Sequence, residues 1–189
     1  MRDHPSPSPS PSPAWVAEER ATIRALVAEA SAEMLATLAS PVMKAAGNVP
    51  KDDDLLAFIR ITGRLRGFLA VAASPEFFRR SYPTHGLRRS QVVAVLDWAG
   101  EVANQLVGRI KRRFCDRGTD FDITVPVAGR VREIGALAPA RDDEYGAAFA
   151  LGRELVWVRF HVRPNESDKI FSDSAQPIEC LPEGHIILF

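Results

Sequence analysis

The sequence lacks several features that would point to particular classes of protein. Its 189 residues include only two cysteines, Cys115 and Cys180, which rules out a CxxC zinc or redox motif and a framework of several disulfides. Basic and acidic side chains number 24 each, so the surplus of cations that duplex binding uses is missing. No apolar run approaches the ~18 residues needed to cross a bilayer. The acidic run from Asp52 to Asp54 is expected to be solvated. We therefore expect no nucleic acid, membrane or metal partner.

The N-terminal segment is also poor in residues that could be buried. Proline alternates with serine from Pro5 to Pro13, a composition that cannot form a core and that lacks the apolar centre of a secretory signal. We predict a disordered tail over residues 1–13 and one folded domain over residues 14–189. The 46% hydrophobic content is that of an ordinary globule, and the cytoplasm is the simplest location.

Two long segments have the apolar period of a helix. The first extends from about Ala14 to Ala46, with Pro41 expected to end or kink it, and the second from about Arg89 to Phe114. Their apolar residues recur at intervals of three and four: Ile23, Leu26, Val27, Ala30, Met34, Leu35 and Leu38 in the first, and Val92, Val95, Leu96, Ala99, Ala103, Leu106 and Ile110 in the second. Each helix therefore offers one apolar face to a core. A shorter helix is predicted after Ser74, a capping hydroxyl that precedes proline.

Other segments alternate with the period of a strand. Alternation from Ile59 to Val71 predicts a hairpin that reverses near Gly63 to Gly67. Further strands are predicted over Phe121–Val127, Gly129–Ile134, Leu155–Val162 and Gly184–Phe189, with a polar, glycine-containing stretch up to about Ala147. Hairpin-like connections favour an α+β fold, in which a mostly antiparallel sheet carries the two long helices on one face.

The second long helix carries a polar stripe. Asp97, Glu101, Asn104 and Gly108 follow steps of four, three and four, and they point roughly 160° away from the apolar centre of the helix. Glycine in a helix interior costs about 0.8–1 kcal/mol relative to alanine, so Gly108 on this face suits the close approach of another backbone. Trp98 flanks the stripe and suits a docking surface. Without further information, such a stripe is ordinary solvation.

The spacing of these residues resembles the signature of a known family. Asp97-x3-Glu101-x2-Asn104, followed by Pro126 at 104 + 22, is similar to the motif of the CheC/CheX/FliY family of chemotaxis phosphatases, which dephosphorylate response regulators such as CheY. Four such positions would fall in register by chance in about one of several hundred sequences. The single motif resembles CheX more than CheC, which usually carries two, because Ala32 stands where a second motif on the first helix would need asparagine.

The resemblance implies a function and a role for each residue. Asn104 would orient a water for in-line attack on an aspartyl phosphate, and Glu101 would pair with a lysine of the regulator. Asp97 would support partner contact or the geometry of the helix, while Pro126 would be structural because it lacks a donor. From their places beside and on the stripe, Trp98 and Gly108 are also expected at the partner contact.

The resemblance also implies the partners of the chain. These are a phosphorylated CheY-like response regulator and a second copy of the chain in a homodimer. No cofactor of its own is implied, since the receiver domain supplies Mg²⁺. A non-catalytic receiver-binding or scaffold module on the same fold is the alternative, because a fold does not fix an activity.

Overall fold

The computed structural model describes residues 13–38, 42–45, 50–83, 92–137, 145–165, 170–171 and 176–178. Over these residues the chain has an α+β fold, with seven strands in one antiparallel sheet and four α-helices. No helix in these ranges combines the length and the apolar character needed to cross a membrane.

The helices and strands follow one another along the chain in a mixed order. The helices are α1 (Pro13–Leu38), α2 (Pro75–Ser81), α3 (Val92–Cys115) and α4 (Val131–Ile134). The strands are β1 (Val42–Ala45), β2 (Leu55–Thr62), β3 (Leu65–Ala73), β4 (Asp122–Ile123), β5 (Val127–Arg130), β6 (Tyr145–Leu151) and β7 (Glu154–Pro164). The sheet order is β1-β6-β7-β3-β2-β4, and β5 also pairs with β2. The antiparallel α+β prediction is confirmed.

The main core lies between the sheet and the two long helices. Both helices pack on the same face of the sheet, as their apolar periods predict. The core includes Val27, Ala30, Met34 and Leu35 of α1, Ala99, Ala103, Leu106 and Ile110 of α3, and Ile59, Leu69, Val71, Val156 and Val158 of the strands. On the opposite face, α4 packs against a smaller cluster made of Leu56, Phe58, Phe68, Ala70 and Ala72.

Two local signals are confirmed. The Ser74 hydroxyl caps α2 by accepting a hydrogen bond from the Phe77 amide at 3.0 Å, and it donates to Glu154 at 2.6 Å. The β2–β3 hairpin turns at Gly63, whose φ of +85° is a conformation that glycine adopts without strain. Gly67 lies within β3, beyond the turn, and a Cβ there would be 1.8 Å from the His161 carbonyl oxygen of β7.

The two strands predicted after the second long helix are partly wrong. Phe121–Val127 is not continuous, because residues 124–126 separate β4 from β5. The predicted strand Gly129–Ile134 ends at Arg130, and Val131–Ile134 forms α4, because the Glu133 carboxylate accepts from the Arg130 amide at 3.2 Å, a contact typical of a helix start.

Two further boundaries differ from the prediction. The first helix ends at Leu38, ahead of Pro41 as expected of a proline, so the limit at Ala46 is too far, and Val42–Ala45 forms strand β1 against β6. Proline at position 41 cannot continue a helix, and the antiparallel partner of β1 lies more than a hundred residues along the chain. Strand β6 begins at Tyr145, inside the stretch expected to be irregular, because its small residues blur the alternation. Residues 1–12 and the predicted strand Gly184–Phe189 lie outside the described residues.

The C-terminal end of α3 is tied to a distant part of the chain. Cys115 is buried and disulfide-bonded, and the only other cysteine in the sequence, Cys180, lies outside the described residues. The Ile178 amide donates to the Cys115 carbonyl at 2.9 Å, so the chain returns to α3 here. The cysteine count excluded a framework of several disulfides but did not predict this single bond.

Candidate functional site

Helix α3 presents the predicted polar stripe to solvent. Asp97 and Glu101 are exposed and Asn104 is half-buried, whereas Ala99, Ala103 and most of the other predicted apolar positions are buried in the core. Leu96 is half-buried, and Val92 is 69% exposed at the first turn. The three polar residues therefore share one outward face of a helix whose other side is fixed to the sheet.

The side chains of the stripe have few partners within the protein. Glu101 accepts a hydrogen bond from the Gln105 side chain at 3.0 Å, a contact one turn apart on the helix. Asp97 and Asn104 make no side-chain hydrogen bond or ion pair with the described part of the chain. The Asn104 amide can therefore use its carbonyl oxygen as an acceptor and its NH₂ as a donor towards a bound molecule.

A β-bulge lies beside this stripe. The Thr124 amide donates to the Arg60 carbonyl at 3.0 Å, and the Arg60 amide donates to the Thr124 hydroxyl at 3.2 Å. The next pair on the ladder is Phe58 with Val127. Residues 125 and 126 therefore oppose a single residue of β2, position 59, which is the definition of a bulge.

The proline of the motif reaches α3 through this bulge. A Cβ built on Gly100 would lie 3.4 Å from Cγ of Pro126, so the proline ring sits against the bare backbone of the helix. Proline is tolerated here because a bulge needs no ladder donor. Gly100 thus has the close approach that the sequence analysis assigned to Gly108, and Gly108 is a half-buried member of the stripe. The sequence did contain a signal for Gly100, because glycine in a helix interior lowers helix stability relative to alanine and therefore suggests a close contact.

Trp98 does not belong to an exposed docking surface, and that expectation is wrong. Its side chain is only 9% exposed, and its indole N–H donates to the Ser81 hydroxyl at 3.0 Å. The ring also packs edge-to-face on Tyr82 with centroids 5.8 Å apart. Helix α2 covers the flank of α3 that the helical wheel alone left open, so Trp98 holds α2 and α3 together.

The acidic loop before β2 is engaged in ion pairs and a turn. Asp53 accepts from Arg130 at 3.3 Å and from Arg132 at 2.9 Å, and Asp54 accepts from the Lys51 amide at 2.8 Å. These contacts fix the loop to β5 and α4, whereas the sequence predicted plain solvation. The described residues contain no group of three or more His, Cys, Asp or Glu side chains that could hold a metal ion.

Comparisons with known proteins find similarity to the same family that the motif resembles. The family model described as "Chemotaxis phosphatase CheX" matches residues 55–145, which run from β2 to the start of β6 and include α3 and the bulge. Over these residues, slightly less than half of the chain, the sequence is similar to that family. No curated protein matches the sequence.

Solved structures share the fold of this chain at low sequence identity. A putative chemotaxis protein from Desulfovibrio vulgaris Hildenborough has a TM-score of 0.58 and 16% identity, covering 75% of this chain and 97% of that one. The chemotaxis protein CheX from Vibrio vulnificus has a TM-score of 0.55 and 20% identity, with coverages of 76% and 98%. A CheX–CheY–BeF₃–Mg²⁺ complex from Borrelia burgdorferi has a TM-score of 0.57 and 14% identity, with coverages of 78% and 97%. At this identity the similarity shows the fold.

Proposed function

We propose that this CheX-like protein dephosphorylates the aspartyl phosphate of a CheY-like receiver domain. One observation carries the proposal: the amide of Asn104, which has no side-chain partner among the described residues, and the exposed carboxylate of Glu101 lie one turn apart on an outward face of α3. The matching family is described as a chemotaxis phosphatase, and one similar structure is a complex of CheX with CheY, which support the same reading.

The reaction requires little of the protein besides positioning of the attacking water. Water attacks the phosphorus in line, a new P–O bond forms, and the bond to the aspartate oxygen breaks. The products are a carboxylate and dihydrogen phosphate, which keeps both protons of the water. Such reactions are catalysed mainly by positioning and electrostatics, and a carboxamide that orients the water is a known solution. In this protein the Asn104 oxygen would accept from the water while its NH₂ donates to a phosphate oxygen.

The other groups of the reaction come from the partner. The receiver domain supplies the Mg²⁺ and the lysine beside its phosphoaspartate, so the proposal gives this chain no cofactor of its own. Glu101 pairs with that lysine, and its hydrogen bond to Gln105 keeps the carboxylate on the stripe until the partner arrives. Asp97, one turn earlier, adds negative charge that steers the partner, an effect that falls with ionic strength.

The test is the decay of a phosphorylated receiver domain in the presence of the protein. We expect Asn104→Ala to lower turnover about 10²-fold or more while the affinity for the receiver changes little, because the amide acts on the attacking water. Glu101→Ala should weaken both turnover and binding. Glu29→Ala is the matched control, since it removes an exposed carboxylate from α1, where Ala32 replaces the asparagine of the motif.

The outcomes separate the enzyme from the alternative. Full activity of Asn104→Ala would contradict the water-orienting role. If the wild-type protein binds the receiver without shortening the lifetime of its phosphate, the chain is a receiver-binding or scaffold module. The proposal also includes a homodimer and a cytoplasmic location, the compartment in which a CheY-like partner is expected.

A further inference from the structure

An exposed apolar side chain stands directly beside the polar stripe. Val125 is 80% exposed, the highest value among the exposed large hydrophobic side chains of the described residues. The bulge explains this position. Residues 125 and 126 share one place on the ladder, and Pro126 takes the side that faces Gly100 of α3. A bulge turns a neighbouring side chain out of the sheet, which leaves Val125 without cover.

A second exposed valine continues the stripe along α3. Val93 is 67% exposed and lies four residues before Asp97. On the helical wheel, Val93 is turned about 40° from Asp97 and Gly100 about 60° in the same direction. Asn104 is turned about 20° the same way, whereas Glu101 is turned about 40° the other way.

The stripe therefore has two different flanks. Val93, the bulge at Val125 and the Asn104 amide lie on one flank, and the Glu101 carboxylate lies on the other. Along the axis, Val93 precedes Gly100 by roughly 10 Å, and Asn104 follows Gly100 by roughly 6 Å. A partner that covers this flank would bury both valines and enclose the amide.

We propose that Val93 and Val125 are the apolar anchors that seat the phosphorylated receiver domain over Asn104. This inference rests on the proposed function and adds to it the residues that select the partner. The core of an interface is apolar and depleted of charge, with polar groups around it. The valines would bind apolar surface beside the phosphoaspartate, outside the group of atoms that react.

Aspartate substitutions at four exposed valines test the inference. Val125→Asp and Val93→Asp place a charge on the proposed anchors. Val92→Asp is the control for α3, because its side chain is 69% exposed but turned about 140° from Asp97. Val127→Asp is the control for the bulge, since Val127 is 47% exposed and pairs with Phe58, a member of the cluster on the other face of the sheet.

The measurement uses the full-length chain and a receiver domain carrying beryllofluoride and Mg²⁺ as the stable mimic of the phosphorylated form. We expect each anchor variant to raise the dissociation constant by about tenfold or more, and each control to change it by about twofold or less. In the decay assay the anchor variants should raise KM and leave the rate at saturation unchanged, because the valines touch no reacting atom. Val125→Ile should keep wild-type affinity.

The possible outcomes distinguish failure of this inference from failure of the proposed function. Anchor variants that bind like the wild type, while the wild type accelerates decay, would overturn the inference and leave the proposed function standing. Equal weakening by all four aspartates would also overturn it, because added charge alone would then explain the loss. A wild-type protein that neither binds the receiver nor shortens the lifetime of its phosphate would overturn both. Denaturant unfolding of every variant confirms that the comparison is made between folded proteins.

Discussion

Gly100 leaves room for the Pro126 ring of the bulge to contact α3. The space around Gly100 predicts how substitutions there change the free energy of unfolding. A Cβ at this position would be 3.4 Å from Pro126, which is ordinary van der Waals contact. Gly100→Ala should therefore fit, and it should raise the free energy of unfolding by about 0.5–1 kcal/mol because alanine is the better helix former. Gly100→Leu should lower it, since a longer side chain must displace the proline ring. Urea unfolding measures both, and a destabilised alanine variant would contradict the contact geometry.

Tyr145 is a buried residue whose hydroxyl has no hydrogen-bond partner among the described residues. Burial raises the pKa of Tyr145 from 10.0 to about 12. A pKa that is raised in the folded state gives stability that is complete below pH 10 and is lost as the pH rises through 12. The alkaline fall in stability should therefore be shallower in Tyr145→Phe than in the wild type. Unfolding midpoints in urea from pH 8 to 11.5 test this, and superimposable curves would show that Tyr145 does not contribute.

The pairing of β3 with β7 depends on a glycine in the middle of a strand. A Cβ on Gly67 would lie 1.8 Å from the His161 carbonyl oxygen, and backbone cannot move away as a flexible side chain can. Gly67→Ala should therefore cost more than about 2 kcal/mol of unfolding free energy. Gly146→Ala is the matched control in β6, because no atom of the described part of the chain lies within 4 Å of its Cβ position. Denaturant unfolding should separate the two variants, and equal stabilities would contradict the close approach.

At the scale of the whole molecule, the two edges of the sheet differ in whether pairing with another chain would cover the candidate site. Strand β1 forms one edge and, among the described residues, pairs only with β6. The other edge carries β4, β5 and the bulge beside the candidate site. An exposed edge is a template for another chain. Pairing through β1 would leave the site open, and pairing through the bulged edge would cover it. We therefore predict a homodimer that binds one receiver domain per chain.

Sedimentation equilibrium tests the assembly. The protein alone should have twice the mass of one chain at micromolar concentrations, and saturation with the beryllofluoride-bound receiver should add one receiver per protomer. A monomeric mass would remove the homodimer from the proposal. A dimer that binds no receiver until it dissociates would place the contact on the bulged edge.

The sequence by itself determined the features that depend on neighbours along the chain. The apolar faces of the two long helices, the Ser74 cap and the outward stripe of Asp97, Glu101 and Asn104 all follow from spacing within one element, because a helix repeats every 3.6 residues wherever it lies. The spacing from Asn104 to Pro126 was also visible in the sequence, but the contact of Pro126 with Gly100 was not.

Only the tertiary structure decided the features that depend on residues far apart in sequence. Strand β1 exists because β6 pairs with it, and Trp98 is buried because α2 crosses its flank. Pro126 contacts Gly100 because the bulge opposite β2 packs against α3, and the same bulge leaves Val125 exposed. Spacing along the chain cannot show such approaches, because they are set by the packing of a whole sheet and helix against each other.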